Sequence, residues 1–186
     1  MGKDKALLRC FGESMLQRTL TTAHEACERT VICGPPELYA GFGEALQDTE
    51  PGHGPLSGIH TALHATQTPL NLILSVDMPL MQAKFLSWLL EEARAGEQMI
   101  TATEALGQLQ PLCAVYAREM LPVVDEAMDR QQYKVTRLFQ RAPTRIISEA
   151  EIRHAGFDPV IFTNVNTPEE YERLLSNVSV PEAGRA

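Results

Sequence analysis

The sequence contains no apolar run of the roughly 20 residues that a membrane-spanning helix needs. Its beginning also lacks the apolar centre of a secretory signal peptide. It has no run of basic residues that could follow a nucleic-acid backbone, and 16 Lys and Arg against 24 Asp and Glu leave a net charge of −8. These absences predict a cytoplasmic protein that binds neither membranes nor nucleic acids.

Paired cysteines are missing as well. No two of the chain's four cysteines, Cys10, Cys27, Cys33 and Cys113, form a C-x-x-C motif. Each has apolar neighbours, so we expect reduced and mostly buried thiols.

His60 and His64 lie four residues apart on one predicted helical face, a spacing that can hold a metal ion. No glutamate stands between them as in H-E-x-x-H, so the spacing alone does not predict a metal centre.

Length and patterning indicate a single α/β domain. The 186 residues, 44% hydrophobic and 22% charged, are typical of one globular unit. Strand-like and helix-like stretches alternate, which predicts three layers around a mostly parallel sheet. "LNLILSV" is the clearest strand, and its unbroken apolar character favours a parallel strand covered on both faces. In such sheets ligands bind at the carboxyl ends of the strands.

The other elements follow from periodicity and from breaker residues. The predicted helices are "SMLQRTLTTAHEAC" with Ser14 as N-cap, "ELYAGFGEAL", "PLSGIHTALHA", "QAKFLSWLLEEARAG", 118–130, 133–140 and "PEEYERLL". The remaining predicted strands are "TVICG", "TRIISEA", "VIFTNVN" and the neighbours "QMITATE" and "QPLCAVYA", which could pair antiparallel.

Asp77 directly follows the clearest strand, in "LILSVDMPL". A carboxylate at a strand end is a natural Mg²⁺ ligand, because Mg²⁺ is usually held by one or two carboxylates together with substrate phosphates. The alternative is that Asp77 only begins a turn or caps the next helix.

A second candidate is the loop of "QDTEPGHGPLSGIHTAL". Asp48 precedes Gly52 and Gly54, which allow close backbone approach to a ligand. Pro55 then opens a helix whose N-terminus favours anions. The alternative is an ordinary turn between two elements.

The third candidate is "TNVNTPEEYERLL". Thr167 as N-cap, Pro168 as first helical residue and Glu170 as capping-box partner have a purely structural explanation. That explanation does not cover Asn164 and Asn166, whose amides could hydrogen-bond a ligand or a metal-bound water.

Five motifs occur together in one order. They are G-x-D-K-A-L at 2–7, D-x-x-P-G-x-G-P-L-x-G-I at 48–59, V-D-M-P-L at 76–80, P-L-x-A-V-Y at 111–116 and N-V-N-T-P at 164–168. As a set they resemble the molybdenum cofactor guanylyltransferase family, from residue 2 to about 175. The resemblance implies a Rossmann-like nucleotidyltransferase fold. It also implies Mg²⁺-dependent transfer of GMP from GTP to the terminal phosphate of molybdopterin, with release of pyrophosphate.

The same resemblance implies roles for individual residues. Lys5 matches the phosphate-binding lysine, Asp48 the nucleotide-contacting aspartate, and Asp77 the magnesium-binding aspartate. From the residues themselves, we also expect Asn164 and Asn166 to bind the nucleotide, and the loop with Gly52, Gly54 and Pro55 to lie near the ligand. The implied partners are GTP, molybdopterin and a transient molybdoenzyme or cofactor-delivery protein.

The sequence departs from the family pattern at two places. Many family members have a nucleotide-holding asparagine after the second strand, where this chain has Cys33 and Gly34 in "VICGPP". Members also begin with an apolar strand and an L-A-G-G-x-S-x-R loop before the G-x-D-K motif. We therefore expect a nucleotidyltransferase domain over 1–175 without that strand and loop, less active and less stable than an extended chain, and a flexible tail over 176–186.

Two alternatives to guanylyl transfer remain open. One is nucleotidyl transfer with another base or acceptor, of the cytidylyl or sugar-phosphate type. The other is a nucleotide-binding protein that has lost turnover together with its glycine loop. Measuring which triphosphate yields pyrophosphate, or binds without product, would separate them.

Overall fold

Helices and short strands alternate along the chain in a computed structural model that describes residues 4–10, 12–167 and 170. The α-helices are α1 Met15–Ala26, α2 Pro36–Tyr39, α3 Pro55–Ala65, α4 Ala83–Ala95, α5 Leu121–Asp129 and α6 Glu149–His154. The strands are β1 Arg9–Cys10, β2 Glu13–Ser14, β3 Ile32–Cys33, β4 Ala45–Leu46, β5 Leu70–Leu74, β6 Ile100–Ala105, β7 Gln108–Ala117 and β8 Thr144–Ile147. Short 3₁₀ helices span Lys5–Leu7, Arg118–Met120, Val135–Gln140 and Pro159–Phe162.

The central sheet has four strands in the order β5-β7-β6-β8. β7 pairs antiparallel with both β5 and β6, whereas β6 and β8 run parallel. The α/β class is confirmed, but the described sheet is mixed and not mostly parallel. The unbroken apolar run of β5 indicates that other elements cover both faces of the strand. It does not determine whether the neighbouring strand runs parallel or antiparallel to β5.

Strands β6 and β7 form the antiparallel pair that the sequence predicts. Leu106 and Gly107 connect them with φ values of 54° and 72°. Positive φ at both positions is the geometry of a two-residue type I′ turn, whose twist matches that of the flanking strands. The Leu106 N–H donates to Glu149 Oε2 at 2.8 Å, which ties this strained turn to α6.

Helices cover both faces of the sheet and complete three layers. One face packs against α4 and α6 in a core that includes Phe85, Leu86, Leu89, Val115, Ile147, Ile152 and Phe162. The other face packs against α3 and α5 in a core that includes Leu56, Ile59, Leu63, Ala114, Tyr116, Val124 and Met128. Along β5, Leu72 faces the first core and Ile73 the second, as expected for alternating side chains.

A smaller core lies beside the sheet. Ala6, Leu16, Leu20 and Ile32 are buried there, and Val76 packs against them. The core joins the first described residues, α1 and β3 to the chain that follows β5. Strands β3 and β4 form their own parallel pair, and within the described ranges neither is hydrogen-bonded to the four-stranded sheet.

Several predicted elements are confirmed. Ser14 caps α1, with its Oγ accepting from the Gln17 N–H at 3.1 Å. Helix α3 begins at Pro55 as expected. The predicted helix at 118–130 is a 3₁₀ turn continued by α5. The predicted strand of "TRIISEA" corresponds to β8, after which Ser148 forms a capping box with Glu151 and begins α6.

Other elements differ from the prediction. "ELYAGFGEAL" is helical only as far as Tyr39, because two glycines follow and Ala45–Leu46 pairs with β3 instead. The sequence predicts a strand at "VIFTNVN", but this segment begins as the 3₁₀ helix Pro159–Phe162, which Asp158 caps through the Val160 N–H. The predicted helix at 133–140 is also 3₁₀, from Val135 to Gln140.

Two predictions for the end of the chain lie outside the described residues. They are the helix "PEEYERLL", apart from Glu170, and the tail 176–186.

None of the helices within the described ranges is long and apolar enough to cross a membrane.

We predict that Phe85→Ala destabilises the protein strongly. Phe85 has no exposed surface and makes edge-to-face contacts with Phe157 and Phe162, at centroid distances of 5.2 and 5.1 Å. The lost burial and the residual cavity should cost about 3–5 kcal/mol. Urea unfolding measures this loss. Leu38→Ala, at an exposed position of α2, is the control and should change stability by less than about 0.5 kcal/mol.

Candidate functional site

Three polar side chains from distant parts of the chain meet beyond the end of β5. Lys5 Nζ donates to Asp77 Oδ2 at 3.4 Å and also to Asn166 Oδ1. The side chains of Lys5 and Asp77 are 38% and 20% exposed, so a ligand can reach both. The structure therefore brings together three of the residues that the sequence marks as site candidates.

Asp77 is held by contacts on both sides of its position. The Ser75 hydroxyl donates to Asp77 Oδ1 at 2.5 Å, and the Asp77 carbonyl accepts from the Val165 N–H at 2.8 Å. From α1, Arg18 Nε donates to the Pro79 carbonyl at 2.5 Å and fixes the turn that follows. Sequence reasoning missed Ser75, although a serine two residues before an aspartate, where the chain leaves a strand and turns, is close enough to hydrogen-bond its carboxylate.

Lys5 is positioned by the first 3₁₀ helix. Asp4 Oδ1 accepts from the Ala6 N–H at 3.0 Å and caps that helix. Asp4 Oδ2 accepts from the Tyr39 hydroxyl at 2.5 Å. Burial, followed by this contact with Asp4, raises the pKa of Tyr39 to about 12, so the phenol stays protonated and continues to donate. Asp4 therefore supports the backbone that presents Lys5.

The asparagine segment is anchored by the residue between its two amides. Val165 is 2% exposed and packs against Met15, so the alternation of an extended chain turns Asn164 and Asn166 outward. Asn166 reaches Lys5, whereas no described contact brings the exposed Asn164 to this group.

The capping interpretation of this segment is supported in part. Thr167 Oγ1 accepts from the Glu170 N–H at 3.1 Å, as predicted for an N-cap. The Glu170 carboxylate accepts from the Asn166 N–H at 2.6 Å, one residue before the expected position. Pro168 lies outside the described residues.

Asp48 belongs to a second group, with Cys33 and Thr61. Its Oδ1 is buried and has no hydrogen-bond partner among the described residues. Desolvation raises the pKa of Asp48, and a hydrogen bond from Thr61 opposes that rise. Burial, followed by the charge of Asp48, raises the pKa of Cys33 to about 11. A buried acceptor without a donor is available to a ligand that supplies one.

The glycine loop after Asp48 leads into α3. Gly52 and Gly54 have φ values of 94° and 69°, a region that other residues rarely adopt. No atom lies within 4 Å of a Cβ built at either glycine, so their backbone borders open space. The Ser57 hydroxyl donates to the Glu50 carbonyl at 2.6 Å and fixes the loop to the first turn of α3 at Pro55.

The small core connects the two groups. Ala6, Ile32 and Val76 pack together there, and they immediately adjoin Lys5, Cys33 and Asp77 along the chain. A cation, a carboxylate and an amide meet in one group, and a carboxylate with one unpartnered oxygen, Asp48 Oδ1, lies beside a glycine loop in the other. On this α/β fold, such groups define a protein of the class that handles phosphates and nucleotides.

Comparison with known protein families narrows this class to one family. The model of the MobA-like NTP transferase domain matches residues 1–146. A Bacillus subtilis protein named "Probable molybdenum cofactor guanylyltransferase" is 32% identical, over 93% of this chain and 87% of its own. A relative of the same name from Pelotomaculum thermopropionicum is 31% identical, over 100% of this chain and 90% of its own. The chain belongs to the MobA-like NTP transferase domain family.

Solved structures support the fold. Molybdopterin-guanine dinucleotide biosynthesis protein A from Archaeoglobus fulgidus superposes with a TM-score of 0.80 at 21% identity, covering 95% of this chain and 93% of its own. The 2-C-methyl-D-erythritol 4-phosphate cytidylyltransferase of Thermus thermophilus gives 0.68 at 16% identity, with 94% of both chains covered. A Mycobacterium tuberculosis protein solved in complex with manganese gives 0.65 at 16% identity, covering 94% and 93%.

We predict that Asp48→Asn stabilises the ligand-free protein at neutral pH. Because desolvation raises the pKa of Asp48 in the folded state, folding loses stability as the pH rises above the ordinary value of 3.8, and the loss is complete above the raised pKa. An amide carries no charge and avoids this cost. The variant should melt at a higher temperature at pH 7, and the difference should shrink as the pH falls towards the ordinary value of 3.8.

Glu28→Gln is the control, since this exposed carboxylate should make no such difference. Equal or lower melting of the Asp48→Asn variant at every pH would contradict the desolvation of the Asp48 carboxylate.

Proposed function

We propose that this protein transfers GMP from GTP to the terminal phosphate of molybdopterin and releases pyrophosphate, a step of molybdenum cofactor biosynthesis. Family membership identifies the reaction class. The observation that carries the proposal for this chain is the meeting of Lys5, Asp77 and Asn166 beyond the end of β5.

Asp77 fits a divalent cation, and we assign Mg²⁺ to it. Its carboxylate lies close to the surface, and each oxygen keeps acceptor capacity beyond its contact with Ser75 or Lys5. Oxygen ligands of this kind suit Mg²⁺, which one carboxylate and the nucleotide phosphates can hold together. When bound, the cation neutralises phosphate charge during transfer.

Lys5 supplies the second positive charge. Its ion pair with Asp77 is long, at 3.4 Å, and partly exposed, so the pair itself is weak. Phosphate oxygens offer the ammonium stronger, charge-assisted hydrogen bonds. Lys5 therefore turns to the triphosphate when the nucleotide binds, and Asn166 orients it.

Asp48 and the glycine loop hold the rest of the nucleotide. The unpartnered Oδ1 of Asp48 accepts a hydrogen bond from an N–H or O–H group of the nucleoside. Gly52 and Gly54 let the backbone approach the ligand, and the N-terminus of α3 at Pro55 favours its negative charge. Asn164, turned outward on the same segment as Asn166, adds an amide for nucleotide contact.

The chemistry requires no covalent enzyme intermediate. A terminal phosphate oxygen of molybdopterin attacks the α-phosphorus of GTP and forms the new P–O bond. The bond between the α-phosphorus and the oxygen that bridges the α- and β-phosphates breaks, and its electron pair leaves with pyrophosphate. The protein contributes positioning and charge neutralisation, which are the main requirements of phosphoryl-type transfer. The net charge of −8 does not oppose this, because the field within the site decides anion binding.

A second candidate, cytidylyl transfer, is favoured only by the fold of structural neighbours that are 12–16% identical, a cytidylyltransferase and a synthetase solved with CTP. Pyrophosphate release from GTP, CTP, ATP and UTP with molybdopterin as acceptor decides between the two. Guanylyl transfer predicts release with GTP above all. Equal or greater release with CTP would overturn the assignment, and GTP binding without any product would indicate a binding protein.

We predict that Asp77→Asn reduces GMP transfer by a factor of about 10²–10³ and leaves the fold intact. An amide replaces the carboxylate that we assign to the cation, and it binds Mg²⁺ poorly. Pyrophosphate release measured across a Mg²⁺ titration tests this. Asp129→Asn, at an exposed position of α5, is the matched control and should behave as the parent does. Unchanged turnover and magnesium dependence of the Asp77→Asn variant would refute the assignment.

We predict that Lys5→Ala both raises the KM for GTP and lowers kcat, each by about tenfold or more. Its charge acts on phosphates in the bound state and again when charge shifts during reaction. Steady-state kinetics separate the two effects. Lys84→Ala, at an exposed position of α4, is the control. Parent-like kinetics for the Lys5→Ala variant would leave Lys5 with a structural role only.

A further inference from the structure

Three side chains of types that can ligate a metal ion converge between α3 and α5, outside the group formed by Lys5, Asp77 and Asn166. His60 Nε2 lies 2.9 Å from Asp125 Oδ1, and His64 Nε2 lies 3.0 Å from the same oxygen. The two Nε2 atoms are 3.1 Å apart. Three potential ligand atoms therefore occupy the corners of one small triangle.

The fold explains why they meet. His60 and His64 lie on adjacent turns of α3, on the face towards α5. The two helices pack through apolar side chains that include Ile59, Leu63 and Val124, and this packing fixes the position of Asp125 opposite the histidines. The spacing of the histidines is visible in the sequence, but the third side chain is 61 residues away from His64 and only the fold supplies it.

The dimensions of the triangle match a tetrahedral metal site. Zinc–nitrogen bonds of about 2.0–2.1 Å separate neighbouring ligand atoms of a tetrahedron by about 3.3 Å. The observed separations of 2.9–3.1 Å need to open by only a few tenths of an ångström. Partial exposure of His64, at 46%, and of Asp125, at 43%, leaves a fourth position open to water.

The surroundings of His60 also suit a metal ligand. The ring is 10% exposed, and its Nδ1 lies 2.8 Å from Thr49 Oγ1. A ligating histidine usually bonds through its second ring nitrogen to a polar group, which fixes the orientation of the ring. In the tautomer whose Nδ1 donates to Thr49, the Nε2 lone pair faces the carboxylate oxygen of Asp125, and a cation between the two atoms satisfies both.

We propose that His60, His64 and Asp125 bind one divalent transition-metal ion of the kind represented by Zn²⁺. Two imidazoles and one carboxylate favour Zn²⁺, Co²⁺ or Ni²⁺ over Mg²⁺, which prefers oxygen ligands alone. The bound ion links α3 to α5. Through Thr49 it also stiffens the loop that begins at Asp48, because the Thr49 N–H donates to Thr61 on α3 at 3.1 Å.

The test is calorimetric titration of chelator-treated full-length protein with Zn²⁺ in excess Mg²⁺. The parent protein should bind one Zn²⁺ per chain at this site and melt at a higher temperature with Zn²⁺, and added chelator should reverse the shift. His64→Ala and Asp125→Asn should each weaken that binding at least about tenfold and abolish the shift in melting temperature. His154→Ala, at an exposed position of α6, is the matched control and should retain both effects.

Co²⁺ gives an independent readout, since a tetrahedral site with nitrogen ligands should produce intense visible d–d bands in the parent and in the His154→Ala variant only. The proposal is overturned if Zn²⁺ binds the parent no more tightly than it binds the His64→Ala and Asp125→Asn variants. It is equally overturned if Zn²⁺ leaves the melting temperature of the parent unchanged, in which case the three side chains form hydrogen bonds only.

Discussion

The candidate site depends on the contact between Lys5 and Asp77, which are 72 residues apart. Each side chain is positioned by contacts of its own. Asp77 is fixed by Ser75 and by the backbone of Val165, and Lys5 is fixed by a 3₁₀ turn that Asp4 caps. Ala6 and Val76, which adjoin Lys5 and Asp77 along the chain, pack together in the small core. The packing of that core therefore sets the distance between the ammonium group of Lys5 and the carboxylate of Asp77.

The local patterns that the sequence predicts well are those that short-range physics decides. The apolar periodicity of α1 and α4, the capping by Ser14, and Pro55 at the start of α3 each follow from a few neighbouring residues. The Asp77 position was also predictable, because a carboxylate directly after an apolar strand lies at the end of the sheet, where ligands can reach it.

What the sequence could not predict depends on long-range pairing. The direction of β7 beside β5 is set by a hairpin and by the layers on both faces, and no residue of β5 encodes it. The segment at 163–166 resembles a strand but is anchored by one buried side chain, Val165, and by its bond to Asp77. Asp125 has no local signal at all, because its importance comes only from α5 lying against α3.

A crystal structure of the protein with Mn²⁺ and a non-hydrolysable GTP analogue would show directly whether Lys5 and Asp77 form the nucleotide site. We expect an anomalous Mn²⁺ peak at the carboxylate of Asp77, with Lys5 Nζ moved from that carboxylate onto a phosphate oxygen of the analogue. A nucleotide bound elsewhere, with the contact between Lys5 and Asp77 intact and no Mn²⁺ peak beside it, would rule out this site.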